Sequence, residues 1–226
     1  MQNKDSIETF CNYFQDRIDE IEALNNPLYQ KILIVILLDT SSRVWTKGLE
    51  NKNKLRFLKM VGECIRWQDS DKISIPMTFY RLENVDFKVN DALKSIFSDL
   101  LHKFQEGRIL RLDIDPLYFE IEHLAENCQE KKILNNSRHA ELFYTYRNNL
   151  IHEFRKPGHG MEFSDDNESP YYHSMTDLVN NHDIWELVYP TAFFISIAKI
   201  ALDSIKAFLT FNDLDPYSFF KFGSPW

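Results

Sequence analysis

Residues 146–152 read Tyr-Arg-Asn-Asn-Leu-Ile-His and contain the side chains best suited to chemistry. The apolar periodicity predicts that they form the last turns of a helix over 138–154. Five residues turn a helix by roughly 140°, so Arg147 and His152 are not in line, whereas Asn148 and His152 are neighbours on one line. A guanidinium can bind two phosphate oxygens, and an imidazole in a last helical turn can exchange a proton. The group would suit metal-free cleavage of RNA, in which the 2′-hydroxyl attacks the adjacent phosphorus.

Helical periodicity continues through most of the chain and predicts the elements that position this group. The predicted helices cover 5–24, 27–47, 53–67, a segment from Asn90, a segment from Pro116, 138–154 and 183–210. The predicted core face of the 138–154 helix consists of Leu142, Phe143, Tyr146, Leu150 and Phe154. In the segment from Pro116 we expect Phe119, Ile121, Leu124 and Ala125 to face inward. Residues 157–175 predict a small loop or β-hairpin insertion, and the aromatic tail after Pro216 is expected to dock on its own domain or on a partner.

Composition favours one all-α domain over residues 1–226. The 226 residues are 44% hydrophobic and 14% aromatic, enough to bury a substantial core. Only 6 Gly and 8 Pro leave little material for the many turns of an all-β fold. No internal repeat or clear linker divides the sequence.

Charge is distributed unevenly along the chain. The formal net charge of −8 should repel nucleic acid from the surface as a whole. Residues 43–66 nevertheless carry seven Lys/Arg against two Glu, and residues 131–160 carry six against two. These segments can bind a polyanion locally, or they can be solvated helix faces of mixed charge.

The remaining side chains give little basis for other chemistries. The three cysteines, which are distant in sequence, indicate reduced thiols in the cytoplasm and no disulfide framework. No Cys/His spacing predicts a metal site, and no Walker A, GxGxxG or GxSxG motif is present. We therefore expect no cofactor. The longest apolar run is too short to span a bilayer, and the polar N-terminus has no signal-peptide core.

Arg147, Asn148 and His152 form an R-N-x-x-x-H pattern that resembles the motif of the HEPN superfamily. That motif is an arginine, usually followed by a polar residue, and then a histidine. The resemblance implies an antiparallel helical bundle, a metal-independent endoribonuclease and a homodimer whose two motifs share one cleft. It also implies a toxin–antitoxin or antiphage defence setting, with an antitoxin or defence-system protein as a possible partner. In some HEPN toxins a tyrosine two positions after the histidine accepts a nucleotide, but here that position is Phe154, which counts against this mode of neutralisation.

Three alternatives remain open at the level of sequence. Arg155, Lys156 and His159 can contact RNA phosphates that flank the scissile one, or they can be an ordinary loop. The polar residues 39–43 can line a cleft opposite Arg147, or they can mark a helix that emerges into solvent. The whole protein can also be a catalytically inactive HEPN-like accessory module that binds a protein partner.

Overall fold

The computed structural model describes residues 3–46, 49, 52–104, 109–158, 162, 169–177 and 182–220, excluding the side chains of 177, 182 and 183. Within these ranges the chain is mainly helical and contains a small antiparallel sheet. The α-helices in these ranges are α1 (Lys4–Glu22), α2 (Pro27–Trp45), α3 (Asn53–Lys59), α4 (Ile75–Glu83), α5 (Asp91–Leu101), α6 (Tyr118–Ile121), α7 (Cys128–Asn136), α8 (His139–His152) and α9 (Thr191–Asn212). The strands are β1 (Ile109–Arg111), β2 (Tyr171–Asp177) and β3 (His182–Val188).

The chain forms two compact units. Unit 1 contains Met1–Trp67, Arg147–Lys156 and Thr191–Trp226, and unit 2 contains Gln68–Tyr146 and Pro157–Pro190. A single domain can contain two such units, so the prediction of one domain over 1–226 stays a prediction.

Unit 1 is a helical core in which α9 packs against α1 and α2. The apolar residues whose spacing predicts a helix over 5–24 repeat at three- and four-residue steps, and all are buried in α1; they are Ile7, Phe10, Phe14, Ile18 and Ile21. At the start of α2, the Asn26 side chain accepts a hydrogen bond from the Tyr29 amide at 3.1 Å, and Pro27 occupies the first turn. The α1 and α2 predictions are therefore confirmed.

The aromatic tail docks on unit 1 as far as it is described. The Phe10 ring of α1 lies 6.0 Å from the ring of Tyr217 and 6.1 Å from that of Phe220, measured between centroids. Asp215 caps the 3₁₀ turn Pro216–Phe219 by accepting from the Tyr217 amide at 3.1 Å. Docking on the protein itself is thus confirmed for these residues.

Unit 2 combines α4, α5 and α7 with the sheet, whose strand order is β1-β2-β3. Tyr172 of β2 pairs with Leu110 of β1 and with Leu187 of β3. Its fully buried hydroxyl donates to Asp115 Oδ2 at 2.6 Å, and His139 Nε2 meets the same oxygen at 2.6 Å. Buried polar groups need such partners, so this network ties the start of α8 to the sheet.

Several sequence predictions are wrong in unit 2 and at its borders. The helix predicted over 183–210 begins only at Thr191, because residues 182–188 form β3 and Pro190 disfavours a helical conformation in the residue before it. The loop or hairpin predicted over 157–175 lies partly outside the described residues; the hairpin that is described pairs 171–177 with 182–188, so its second strand was missed. The fold is therefore mainly helical rather than strictly all-α.

Other differences concern helix ends and faces. Phe154 is 58% exposed, because α8 ends at His152 and Phe154 adopts a φ of +54° that cannot continue a helix. Phe119 is exposed rather than buried, since α6 is a single short turn. The third helix continues beyond Lys59 as a π-helical turn, Met60–Cys64, and α7 was not predicted.

Candidate active site

The motif residues lie on the last turns of α8, in the part that belongs to unit 1. Arg147 and Leu150 are buried, whereas His152 is exposed at the end of the helix. Asn148 is half-buried and precedes His152 by four residues, so both lie on one line of the helix surface. The helix therefore presents a buried guanidinium and an exposed imidazole on neighbouring turns.

The Arg147 guanidinium is held by two acceptors. One terminal nitrogen, Nη1, donates to Asn148 Oδ1 at 2.9 Å, and the other, Nη2, donates to Asp39 Oδ2 at 2.8 Å. The Arg147 side chain is 8% exposed and that of Asp39 is 22% exposed. Two charge-assisted contacts fix the orientation of the arginine next to Asn148.

Asp39 also meets a second arginine, Arg56 of α3. Arg56 Nη2 lies 3.4 Å from Asp39 Oδ1, and its Nε donates to Ser42 Oγ at 2.9 Å. The Ser42 hydroxyl in turn donates to the Asp39 carbonyl oxygen at 2.6 Å. The sequence left open whether residues 39–43 line a cleft opposite Arg147 or mark a helix that emerges into solvent. Asp39 and Ser42 fit the first interpretation, because they contact the two arginines, and Arg43 fits the second, because it is exposed.

Sequence reasoning missed Arg56 entirely. It lies in the basic segment 43–66, where nothing distinguishes a buried arginine from the exposed lysines around it. Its side chain is only 3% exposed. The sequence contains one indication, which is that Asp39 interrupts the apolar residues of α2. A carboxylate that is buried there requires a cationic partner.

The other predicted residues are not drawn into this cluster. Within the described part of the chain, the exposed His152 side chain makes no hydrogen bond or ion pair. Arg155 is exposed and pairs with Glu153 at 2.5 Å, and Lys156 is half-buried. His159 lies outside the described residues. The structure thus brings Arg147 and Asn148 into contact and leaves His152 and Arg155 open to solvent.

An exposed apolar stripe on α2 leads to the cluster. Tyr29, Leu33 and Ile36 are 48%, 40% and 45% exposed and follow one another at helical spacing. Asp39 lies three residues beyond Ile36, on the next turn of this face. The exposed Phe154 ring, just after α8, lies 5.9 Å from that of Tyr29.

Searches of family models, of curated proteins and of solved structures found no match to this chain. The HEPN resemblance therefore rests on the motif residues alone. Among the described residues there is no group of three or more His, Cys, Asp or Glu side chains placed to hold a metal ion. In the same part of the chain, every helix is too short or too polar to span a membrane.

Proposed function

We propose that this protein is a metal-independent endoribonuclease of the HEPN type, acting through Arg147, Asn148 and His152. The observation that carries the proposal is the fixed Arg147–Asn148 pair, joined at 2.9 Å on a helix that ends in an exposed His152. Phosphoryl transfer needs a preorganised cation for the developing charge and a group that can transfer a proton. This helix end supplies both.

The proposed reaction is a transesterification within the RNA strand. The 2′-oxygen forms a bond to phosphorus, and the bond between phosphorus and the 5′-oxygen of the next nucleotide breaks. One proton leaves the 2′-hydroxyl and one is delivered to the departing 5′-oxygen, so the products are a 2′,3′-cyclic phosphate and a 5′-hydroxyl. Arg147 stabilises the charge on the phosphate, Asn148 orients the phosphate or the imidazole, and His152 performs one of the two proton transfers.

Asp39 and Arg56 support the same site as positioning residues. Asp39 lies between two guanidinium groups and holds Arg147 by its Nη2 at 2.8 Å. Two arginines around one carboxylate leave this cluster cationic within an acidic protein, which favours a polyanion locally. Arg155 and Lys156 are placed after His152 in the chain, and we assign them, with His159, to flanking phosphates.

A homodimer would supply the second proton transfer. Among the described residues, the end of α8 carries a single exposed imidazole, His152, whereas the reaction has both a base and an acid step. The stripe Tyr29–Leu33–Ile36, together with Phe154, is the exposed apolar surface beside the motif. We assign it to the contact between two copies, which brings the two His152 side chains to one cleft.

The test is cleavage of a fluorescently labelled RNA by the purified protein in the presence of EDTA. We expect cleavage to persist with EDTA and to yield 2′,3′-cyclic phosphate ends, and we expect His152→Ala and Arg147→Ala each to lower the rate by at least about 100-fold. His102→Ala changes another exposed histidine, on the residue after α5, and serves as the matched control. Equal cleavage by His152→Ala, or its loss with EDTA, would refute the proposal.

The second candidate function is a catalytically inactive module that binds a protein. The burial of Arg147 favours it, since both terminal guanidinium nitrogens already meet acceptors within the chain. Growth of the expressing host separates the two functions. A ribonuclease slows growth and the Arg147→Ala/His152→Ala variant relieves this, whereas a binding module leaves growth unchanged in both forms.

The setting that we propose is a cytoplasmic toxin–antitoxin or antiphage defence system, with RNA as substrate and a cognate protein as regulator. Phe154 occupies the place of a modifiable tyrosine and is exposed. Neutralisation through nucleotide transfer to that position is therefore not part of the proposal.

A further inference from the structure

A pocket of about 280 Å³ lies within unit 2, and its lining contains none of Arg147, Asn148 and His152. Its lining includes Leu142 and Tyr146 of α8, Trp185 of β3 and Tyr189. The rings of Tyr146 and Tyr189 meet edge to face, with centroids 5.1 Å apart. Small-molecule sites are concave and mostly apolar with a few polar groups, and this pocket lies at the small end of their size range.

The polar group that distinguishes the pocket is the Arg81 guanidinium. Arg81 is half-buried on α4, and its Nη1 donates to Ser137 Oγ at 2.9 Å. Among the described residues, no carboxylate oxygen lies within ion-pair distance of this guanidinium. Burial lowers the pKa of Arg81, and the more distant Glu141 only partly opposes that effect. A bound anion would offset the cost of this desolvated charge.

The remaining walls restrict the kind of anion. Burial raises the pKa of Tyr146, and the Tyr189 hydroxyl donates to the His139 carbonyl oxygen at 3.4 Å, so neither phenol adds a charge near neutral pH. Glu186 also lines the pocket, and its carboxylate packs against the Cα of Gly158. A second negative charge on the ligand would be repelled by Glu186. The walls therefore favour a flat apolar body with a single negative charge.

We propose that this pocket binds a small aromatic monocarboxylate, with Arg81 pairing with the carboxylate and the aromatic body lying between Trp185 and the two tyrosines. A guanidinium matches two carboxylate oxygens, and aromatic walls favour a ring of similar size. The proposal goes beyond ribonuclease activity and does not depend on it, because none of its residues belongs to the motif.

Titration calorimetry of the full-length protein with three probes tests the ligand class. We expect 3-phenylpropionate to bind with a Kd below about 1 mM. We expect its neutral amide, 3-phenylpropanamide, to bind at least about tenfold more weakly, as loss of a charged hydrogen-bond partner requires. Phenyl phosphate, a dianion at pH 8, should also bind more weakly. Absence of saturable binding by 3-phenylpropionate, or equal binding of the amide or the phosphate, would overturn the proposal.

Variants locate the binding site. Arg81→Gln should weaken 3-phenylpropionate binding at least about tenfold. Arg111→Gln makes the same change at a guanidinium that instead contacts the Ser169 carbonyl oxygen and the Tyr171 ring, and it should leave binding unchanged. Thr145→Trp places a large side chain at an exposed position of the pocket lining and should block binding without altering the core. Unchanged affinity in a folded Arg81→Gln protein contradicts the assignment, and if that variant unfolds, Thr145→Trp decides it.

Discussion

At the scale of single residues, Asp39 fixes the orientation of two arginine side chains. Its two carboxylate oxygens serve different guanidinium groups, Oδ2 that of Arg147 and Oδ1 that of Arg56. Both arginine side chains are less than a tenth exposed, so neither has bulk water as an alternative partner. Removing the carboxylate leaves two buried cations without their shared acceptor, which is more costly than losing an exposed ion pair.

We therefore expect Asp39→Ala to lower the free energy of unfolding by about 1–3 kcal/mol. Urea unfolding followed by circular dichroism measures this. Glu63→Ala removes the acid of an exposed pair, Lys59–Glu63, whose atoms are 3.8 Å apart, and should cost less than about 0.5 kcal/mol. Equal stability of Asp39→Ala and the unmodified protein would show that solvent, not Asp39, satisfies the two arginines.

The cysteines provide a second prediction at this scale. Cys11 and Cys64 are buried and Cys128 is exposed, and burial raises the pKa of Cys64 to about 12. Iodoacetamide at pH 8 should thus label the native protein once, at Cys128, because the reactive species is the thiolate. Mass spectrometry counts the labels. The Cys128→Ser variant should carry no label in the native state and two labels, at Cys11 and Cys64, when it is unfolded in urea. Rapid native labelling at Cys64 would contradict the packing of unit 1.

The same thiol implies a loss of stability at alkaline pH. The folded-state pKa of Cys64 lies above the value of 9.0 for an ordinary thiol. The contribution of the protonated Cys64 thiol to the free energy of unfolding is therefore fully present below about pH 9. It decreases as the pH rises toward 12, because only the unfolded chain releases the proton in that range.

At the scale of elements, the sequence predicted best where one face alone is buried. In α1 the apolar residues recur at three- and four-residue steps, and a helix is the conformation that places them together. In β3, Ile184, Leu187 and Val188 recur at three- and four-residue steps, which favours a helix, and only the pairing with β2 makes this segment extended. Extended pairing is a tertiary contact, which local periodicity does not contain.

The candidate site shows the same division. The motif on α8 is local in sequence, and the helix that carries it follows from the apolar pattern, although that pattern extended the helix to Phe154 and α8 ends at His152. The contacts of Arg147 with Asp39 and of Asp39 with Arg56 join α8, α2 and α3. Such contacts depend on how the helices pack, so no spacing rule could assign Arg56 to the site.

The turn after α8 contains Gly158, which contacts Glu186 of β3. Gly158 has a φ of +64°, and a Cβ at this position would lie 2.8 Å from Glu186 Oε1. Gly158→Ala should therefore lower the free energy of unfolding by about 1–2 kcal/mol, because a side chain strains the backbone at this positive φ, whereas the flexible Glu186 side chain can move aside. Gly62→Ala is the matched control. Gly62 lies in the π-helical turn, and a Cβ added there would meet no atom of another part of the chain within 4 Å, so the change should be neutral or stabilising by up to about 1 kcal/mol. Both values come from thermal or urea unfolding, and a neutral Gly158→Ala would contradict the described turn.

At the scale of the whole molecule, the proposed activity depends on a second copy of the chain. α2 is apolar on nearly every side, yet only its inner face is needed to pack unit 1. Its outer stripe, Tyr29, Leu33 and Ile36, continues to Asp39 and the motif. Contiguous apolar surface of this kind, bordered by charged residues, is typical of an interaction site.

We therefore expect Leu33→Asp to convert a dimer into monomers and to reduce RNA cleavage at least about tenfold, because it places a charge in the apolar contact. Sedimentation velocity measures the oligomeric state and the labelled RNA measures cleavage. Leu55→Asp makes the same change on α3 at a leucine of similar exposure, 41% against 40%, and should alter neither property. If Leu33→Asp is monomeric and still cleaves at the full rate, one chain suffices for both proton transfers and the composite site is wrong. If the unmodified protein is itself monomeric at tens of micromolar and cleaves RNA, the α2 stripe is not the dimer contact, and its exposure must serve a different partner.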